Sequence, residues 1–264
     1  MIKLNVDEFK EGFAYTYGRA SKRAIAHDFF KCITTEAQAY LLGLIASDGS
    51  VSTLNYSLCH KASDIDAEEI IPMYQLISPD ARIERIKEQV SSKPVRGRYI
   101  TAKPHFRLVI QSKSIIESLK KFGFGDRKTY DELHLPKIDK DLIKHFIRGY
   151  FDGDGSISYN ITPPNKNNRE KNPRIRCNMS ICSKTKTLLE EIQNFLSESD
   201  IKATLCKANR DDMYILSVSS KKDLHKIFHL LYDSSEIYLS RKFEKFNHYV
   251  NTEVTQLSAE RRNA

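Results

Sequence analysis

Residues 41–52 read LLGLIASDGSVS, and residues 147–158 read IRGYFDGDGSIS. In each stretch two small residues stand four apart, Gly43 with Ser47 and Gly149 with Gly153, and an aspartate, a glycine and a serine follow. Residues four apart share one helix face, so both segments predict a helix with a bare stripe. A glycine inside a helix costs roughly 1 kcal/mol relative to alanine, and a cost repeated at matching positions calls for a compensating gain. Close backbone approach supplies it: two helices packed on these faces come within contact distance. Their C-terminal ends then meet and bring Asp48 together with Asp154.

That end of a helix is unfavourable for an anion, by about 0.3–1 kcal/mol from the macrodipole, and two adjoining carboxylates also repel. A divalent cation between them removes both penalties. The competing explanation is plain turn chemistry, with each glycine as a left-handed helix cap. Two copies with the same preceding small residues and the same following serine favour the paired site. A calcium-loop reading of DGDGSISYN fails, because Ile157 stands at the required glycine and Pro163 at the required glutamate.

Working outward, the chain is a repeat. Thr35 is a good N-cap for the first helix, with Gln38 three residues on, and Asp139 caps the second. After each Asp-Gly comes strand-like sequence and then LCHKASDIDAEEI or ICSKTKTLLEEI, which aligns Lys61 with Lys184 as residues opening a helix. Further on, FRLVIQSKSIIESLKKF and MYILSVSSKKDLHKIFHLL align Lys113 with Lys221, and the basic turns DRKTYDELHLP and SRKFEKFNHYV align Lys128 with Lys242. The offsets are 106 for the aspartates, 108 for Lys113 and Lys221, and 114 for Lys128 and Lys242, but 123 for Lys61 and Lys184. The Asn/Pro-rich stretch 160–173 accounts for the excess as a lengthened hairpin loop.

The pattern predicts an α+β fold of two αββαββα units. Residues 1–34 form a basic extension, with SKRAIAHDFF as a short basic helix that either packs on the first half or extends the nucleic-acid footprint. The first half is 35–125, the linker 126–138, the second half 139–250, and a polar, fraying tail 251–264.

With 42 Lys and Arg against 34 Asp and Glu, the formal net charge is +8, which suits a polyanionic partner. The five cysteines are an odd number with no C-x-x-C pair, and the apolar run 40–46 is far shorter than a membrane span. An intracellular chain with no membrane segment is expected.

Residues 174–182 alternate: Arg174, Arg176, Asn178 and Ser180 point one way, and Ile175, Cys177, Met179 and Ile181 the other. Arg and Asn donate bidentate bonds to guanine and adenine edges in a major groove that admits a two-stranded ribbon. Ser156, Ser158 and Asn160 continue that face on the neighbouring strand, and Ser57 and Cys59 occupy it in the first half, extended by Arg85 and Lys87. Two basic loops, with Lys93, Arg96, Arg98 and Lys103 in one and Lys166, Arg169 and Lys171 in the other, suit phosphate contacts.

The segments 41–49 and 147–155 resemble the two copies of the LAGLIDADG signature of homing endonucleases, and the resemblance extends from about residue 35 to 250. It implies a pseudo-twofold single chain acting as a monomer, saddle-shaped antiparallel sheets on double-stranded DNA, and Asp48 and Asp154 as metal ligands completed by the carbonyls of Ser47 and Gly153. The implied activity is Mg²⁺-dependent hydrolysis of both strands of a long asymmetric site, leaving 3′ overhangs, in the homing of an intron or a free-standing gene. Mn²⁺ or Ca²⁺ would substitute in the site. Lys128 and Lys242 fall where the family carries its active-site lysines, and Lys61 and Lys184 are secondary candidates. Ala46 departs from the motif at the sixth position, where Asp152 keeps the acid, and Arg148 is bulkier than usual. The rival class is a cleavage-deficient DNA-binding regulator or an RNA intron maturase of the same fold.

Overall fold

The first signature helix begins at a capping box. The Thr35 hydroxyl accepts from the Gln38 N–H, and the Gln38 side-chain oxygen accepts from the Thr35 N–H at 3.1 Å. The computed structural model describes residues 14–17, 23–90, 99, 101–126, 133–162, 174–208 and 212–262, with the backbone alone for 161, 162, 174 and 253–262. Two short paired strands, β1 (Thr16–Tyr17) and β2 (Ala24–Ile25), precede the box. The other end of Gln38 reaches back over this segment, its amide donating to the carbonyls of Phe29 at 2.6 Å and Cys32 at 3.0 Å. The short helix expected in SKRAIAHDFF is therefore not formed in its described residues, which adopt β2 and a run of turns. Ile25, Ala26, Phe29 and Phe30 are all buried, and the carbonyls that would continue a helix go to Gln38 instead. The segment packs on the first half, with the Ala26 N–H donating to the Ile77 carbonyl at 2.8 Å.

From here the chain runs α1 (Glu36–Ser47), β3 (Gly49–Ser52), β4 (Ser57–Ser63), a 3₁₀ turn at Asp64–Asp66, α2 (Ala67–Gln75), β5 (Arg82–Ile86), the small ribbon β6 (Gln89–Val90) and β7 (Thr101–Ala102), β8 (His105–Gln111), and α3 (Lys113–Lys121). The second half follows as α4 (Lys140–Asp154), β9 (Gly155–Thr162), β10 (Arg174–Ser183), α5 (Lys186–Glu198), β11 (Thr204–Lys207), β12 (Tyr214–Val218), and α6 (Lys221–Tyr232). A last helix, α7, spans Ser240–Arg262. Two four-stranded antiparallel sheets result, ordered β3-β4-β8-β5 and β9-β10-β12-β11. Strand for strand the halves repeat, as the duplicated α+β unit requires. Each sheet turns one face toward the helices, burying Leu58, Phe106 and Leu108 in the first half and Met179, Ile181 and Leu216 in the second.

Strand pairing corrects the register of the repeat. Gly49 pairs with His60, and Gly155 pairs with Ile181, so His60 and Ile181 are equivalent. Lys61 then corresponds to Cys182, and Lys184 to Ser63. Lys61 lies inside β4 rather than at a helix start, and local similarity of the two segments had set them two residues out of step. Lys242 is likewise not in a turn: it lies in the first turn of α7 and is buried. The tail expected to fray after Asn251 continues α7 to Arg262, which its many helix-forming residues favour.

Helices α1 and α4 pack together more extensively than any other pair of helices. A Cβ built on Gly43 would lie 2.0 Å from the Phe146 carbonyl oxygen, and one on Gly149 would lie 2.1 Å from that of Tyr40. The two contacts are reciprocal, since Tyr40 and Phe146 are related by the same offset of 106 as the glycines.

Beneath this pair is a polar knot that ties the halves. Arg148 is fully buried, yet its guanidinium donates to the carbonyls of Ile237 at 2.8 Å and Leu231 at 2.7 Å and to the Glu36 carboxylate. Glu36 also accepts from the Glu236 N–H at 3.0 Å. His145 beside them is held neutral, its pKa pushed down to about 3 by burial and then by the Arg148 and Lys144 cations. Arg148→Ala strands Glu36 and two carbonyls, and a loss of roughly 3–5 kcal/mol in urea-unfolding stability is expected.

Candidate active site

The two aspartates sit where each signature helix hands the chain to a strand. Asp48 is the C-cap of α1, its N–H bonded to the carbonyls of Ile45 and Leu44, and Asp154 is the last residue of α4. Gly155 follows in an extended conformation with φ −85°, and among the described residues Gly123 alone of the glycines has positive φ. Left-handed capping therefore does not explain the two Asp-Gly pairs. Close approach does: a Cβ on Gly153 would lie 1.9 Å from Ser47 Oγ and 2.8 Å from Asp48 Oδ2. The carboxylate of the first half thus lies against the last turn of the second-half helix, one residue from Asp154.

The surrounding titratable groups register the same convergence. Burial pushes the Tyr150 hydroxyl well up, and both Asp154 and Asp48 push it further. Burial, and then the Arg241 cation, lower the Lys242 ammonium from its ordinary value, while Asp152, Asp48 and Asp66 oppose this. Lys242 donates to the Gly155 carbonyl and stands over the Phe151 ring at 5.2 Å. Arg241 holds Asp66 at 2.7 Å, which ties the start of α7 to the first half.

A cavity of about 140 Å³ opens beside Asp154, lined by Ser47, Tyr150, Ser183, Lys184 and Thr185 among others. Lys184 therefore lines the same cavity as the second aspartate, whereas Lys61 lies exposed on β4 opposite Arg107. Lys128 lies outside the described residues, as do Lys93, Arg96, Arg98, Lys166, Arg169 and Lys171. No group of three or more His, Cys, Asp or Glu side chains converges among the described residues. A cation here would rest on two carboxylates, with main-chain carbonyls, water and phosphate oxygens completing its shell. Ser47 and Gly153 lie in the last turns of their helices, where carbonyl oxygens lack an intrahelical donor and would be open to such a cation.

Asp152, the acid retained at the sixth motif position, lies outside this site. It is fully buried and accepts from Tyr40 at 2.7 Å, Tyr232 at 3.2 Å and the Leu239 N–H at 2.9 Å. Burial raises its pKa to about 6 despite these donors and the nearby Arg148 and Lys242. With Arg148 it forms the polar core that the motif alone did not reveal. The signal available in the sequence was Arg148 and Asp152 standing four apart within the otherwise apolar stretch 146–152 of α4.

The outward faces of the sheets carry most of the expected polar row. In the second half Ser156 pairs with Ser180, Ser158 with Asn178, and Asn160 with Arg176, so all six share one face, and the Arg174 backbone continues the ladder. In the first half Ser57 and Cys59 lie on the corresponding face of β4. Arg85 does not: it pairs with Phe106, whose side chain is in the core, and forms an ion pair with Asp64 at 2.8 Å on the helix side. Lys87 follows β5 and is exposed. The cations that β5 and β8 do place beside Cys59 are Arg82 and Arg107, which sequence reading missed. For Arg107 the signal was the alternation of HFRLVIQ, residues 105–111.

Residues 141–231 match the family model described as a LAGLIDADG-like domain. The homing endonuclease I-DmoI, in a structure in complex with DNA and Ca, is similar over 81% of this chain and 97% of its own, at 19% identity and a TM-score of 0.53. The LAGLIDADG meganuclease I-AabMI, bound to uncleaved DNA, is similar over 84% of this chain and 92% of its own, at 11% identity and a TM-score of 0.56. No curated protein matches the chain. At these identities the likeness establishes the fold, which is that of LAGLIDADG homing endonucleases with both motifs in one chain.

Proposed function

We propose that this chain of LAGLIDADG fold is a monomeric, Mg²⁺-dependent endonuclease that cuts both strands of a long asymmetric DNA site and leaves 3′ overhangs. The observation that carries the proposal is the meeting of Asp48 Oδ2 with the Gly153 turn, which gathers two acids from opposite halves at one locus. Both acids lie at helix C-termini, where only a cation relieves them. Asp48, Asp154 and the carbonyls of Ser47 and Gly153 are hard oxygen donors that suit Mg²⁺. The bound cation supplies Lewis-acid stabilisation of the attacking water and of the departing 3′ oxygen.

The chain's own residues hold the duplex and place charge. The polar faces of the two sheets position the DNA and contact its bases, one half-site each. Lys242, anchored on the Gly155 carbonyl, sets a positive charge on one side of the acid pair, and Lys184 sets another at the mouth of the cavity beside Asp154. None of the five cysteines forms a disulfide, and no helix among the described residues is long and apolar enough to cross a membrane. We place the enzyme's work inside the cell.

The test is cleavage of a plasmid library carrying a randomised insert, with the new ends sequenced. Breaks at one long site in Mg²⁺ or Mn²⁺, and none in EDTA, are expected. Binding without a cut in any divalent metal would remove the nuclease and leave the regulator or maturase reading.

A further inference from the structure

The first sheet carries a concave, arginine-lined pocket on its outward face, and its wall includes a residue from outside the repeat. The cavity is about 250 Å³, and its polar lining includes Arg23, Asn55, Ser57, Arg82, Arg107 and Gln111. Arg82, Glu84, Arg107 and Gln111 share the face of Cys59, because Val109 pairs with both Arg82 and Cys59, Glu84 pairs with Arg107, and Gln111 pairs with Ser57. The segment holding Arg23 is fixed to the first half: the Ser78 hydroxyl donates to the Ala24 carbonyl at 2.8 Å, and Ile25 is buried. Ser57 and Ser52 lie at the far end of the β3–β4 ladder from Gly49, so the pocket opens on the outer part of the half-site.

An acid divides the arginines. Glu84 is bonded to Arg82, and its other oxygen lies 3.7 Å from Arg107, whose Nε also points to Cys59 Sγ at 3.4 Å. A surface made only to hold phosphates gains nothing from a carboxylate, which repels them. In the major groove the combination is complementary, since arginine donates to guanine O6 and N7 and glutamate accepts from cytosine N4. The carboxylate also fixes the planar guanidinium groups before DNA arrives, which lowers the entropy lost on contact.

We propose that Arg82 and Arg107, positioned by Glu84, read a G·C pair in the outer part of the first half-site, with Arg23 of the N-terminal extension closing the pocket. This inference rests on the proposed function and adds specificity determinants to it. The experiment is selection of bound sequences from a randomised double-stranded DNA library in EDTA, with thermal melting of each variant as a folding control. The probes are the full chain, Arg82→Ala, Arg107→Ala and Glu84→Gln.

The wild-type chain is expected to enrich a G·C pair at one or two outer positions on one side of its site. Arg107→Ala or Arg82→Ala is expected to lower that preference by roughly 5- to 150-fold while leaving the remaining positions intact. Glu84→Gln is expected to blunt preference at the same positions without weakening non-specific binding. Uniform weakening across all sequences, with a salt slope smaller by about one charge, would mark phosphate contacts and overturn the inference. So would variants that keep every preference of the wild type. A wild-type chain that enriches no sequence overturns the endonuclease proposal itself, and that result is separate from a failure confined to the variants.

Discussion

Asp48→Asn and Asp154→Asn are each expected to lower double-strand cleavage by about 10³-fold or more, because each removes one of the two carboxylates that a hard cation requires. Asparagine keeps the size of aspartate and an oxygen acceptor, so shape and packing stay, and only the charge is lost. The same substitutions have the opposite sign for stability. Each acid stands at a helix C-terminus beside a second acid, and neutralising it in metal-free buffer is expected to leave the melting temperature unchanged or to raise it, by about 0.3–1 kcal/mol in stability. Loss of cleavage with gain of stability is a combination that general damage to the fold does not produce. The measurements are conversion of a supercoiled plasmid bearing the selected site to nicked and linear forms, gel-shift affinity in EDTA, and thermal melting in EDTA. Full linearisation by both variants would sink the paired-acid site.

What the sequence disclosed and what it concealed follow one physical division. The bare stripes at Gly43–Ser47 and Gly149–Gly153 are legible because small residues four apart serve close approach and little else, and the two copies carry identical spacing. From them came the duplicated unit, the helix pair and the meeting of the aspartates. The equivalence of Lys61 with Lys184 was misread because local similarity of LCHKAS to ICSKTK is weaker evidence than strand pairing, which starts from Gly49 and Gly155 and counts along the ladder. Arg85 was misplaced because RIERIK offers charges at both two-residue and three-residue spacing, so periodicity alone does not say which cation faces out. Arg148 was noted only as a departure from the motif, and Asp152 only as keeping its acid. Besides the side chains of Glu36, Tyr40 and Tyr232, they engage backbone atoms of Leu231, Ile237 and Leu239, some 80 to 90 residues away, which leave no trace in residue type.

Gly43→Ala and Gly149→Ala decide how close the helices are. In an exposed helix the change stabilises by about 1 kcal/mol, since alanine is the better helix former. Here the added Cβ would lie 2.0 Å from the Phe146 oxygen or 2.1 Å from the Tyr40 oxygen, and each of those atoms is backbone of the facing helix. A side chain would swing aside; a carbonyl inside a helix cannot. The helices must therefore separate, which opens the interface buried around Leu41, Leu44, Phe146 and Ile147. Overpacking of this kind costs about 3 kcal/mol or more after the propensity gain is set against it. The second alanine is expected to add less than the first, because helices already displaced for one Cβ have made room for the other. Gly125→Ala is the control: nothing lies within 4 Å of its built Cβ, and a change within about ±0.5 kcal/mol is expected. Urea unfolding of the four variants gives the answer, and a Gly43→Ala or Gly149→Ala protein as stable as the wild type would mean the helices do not touch through their backbones. Cleavage should fall in the same variants, since the separation that admits a methyl group also draws Asp48 away from the Gly153 turn.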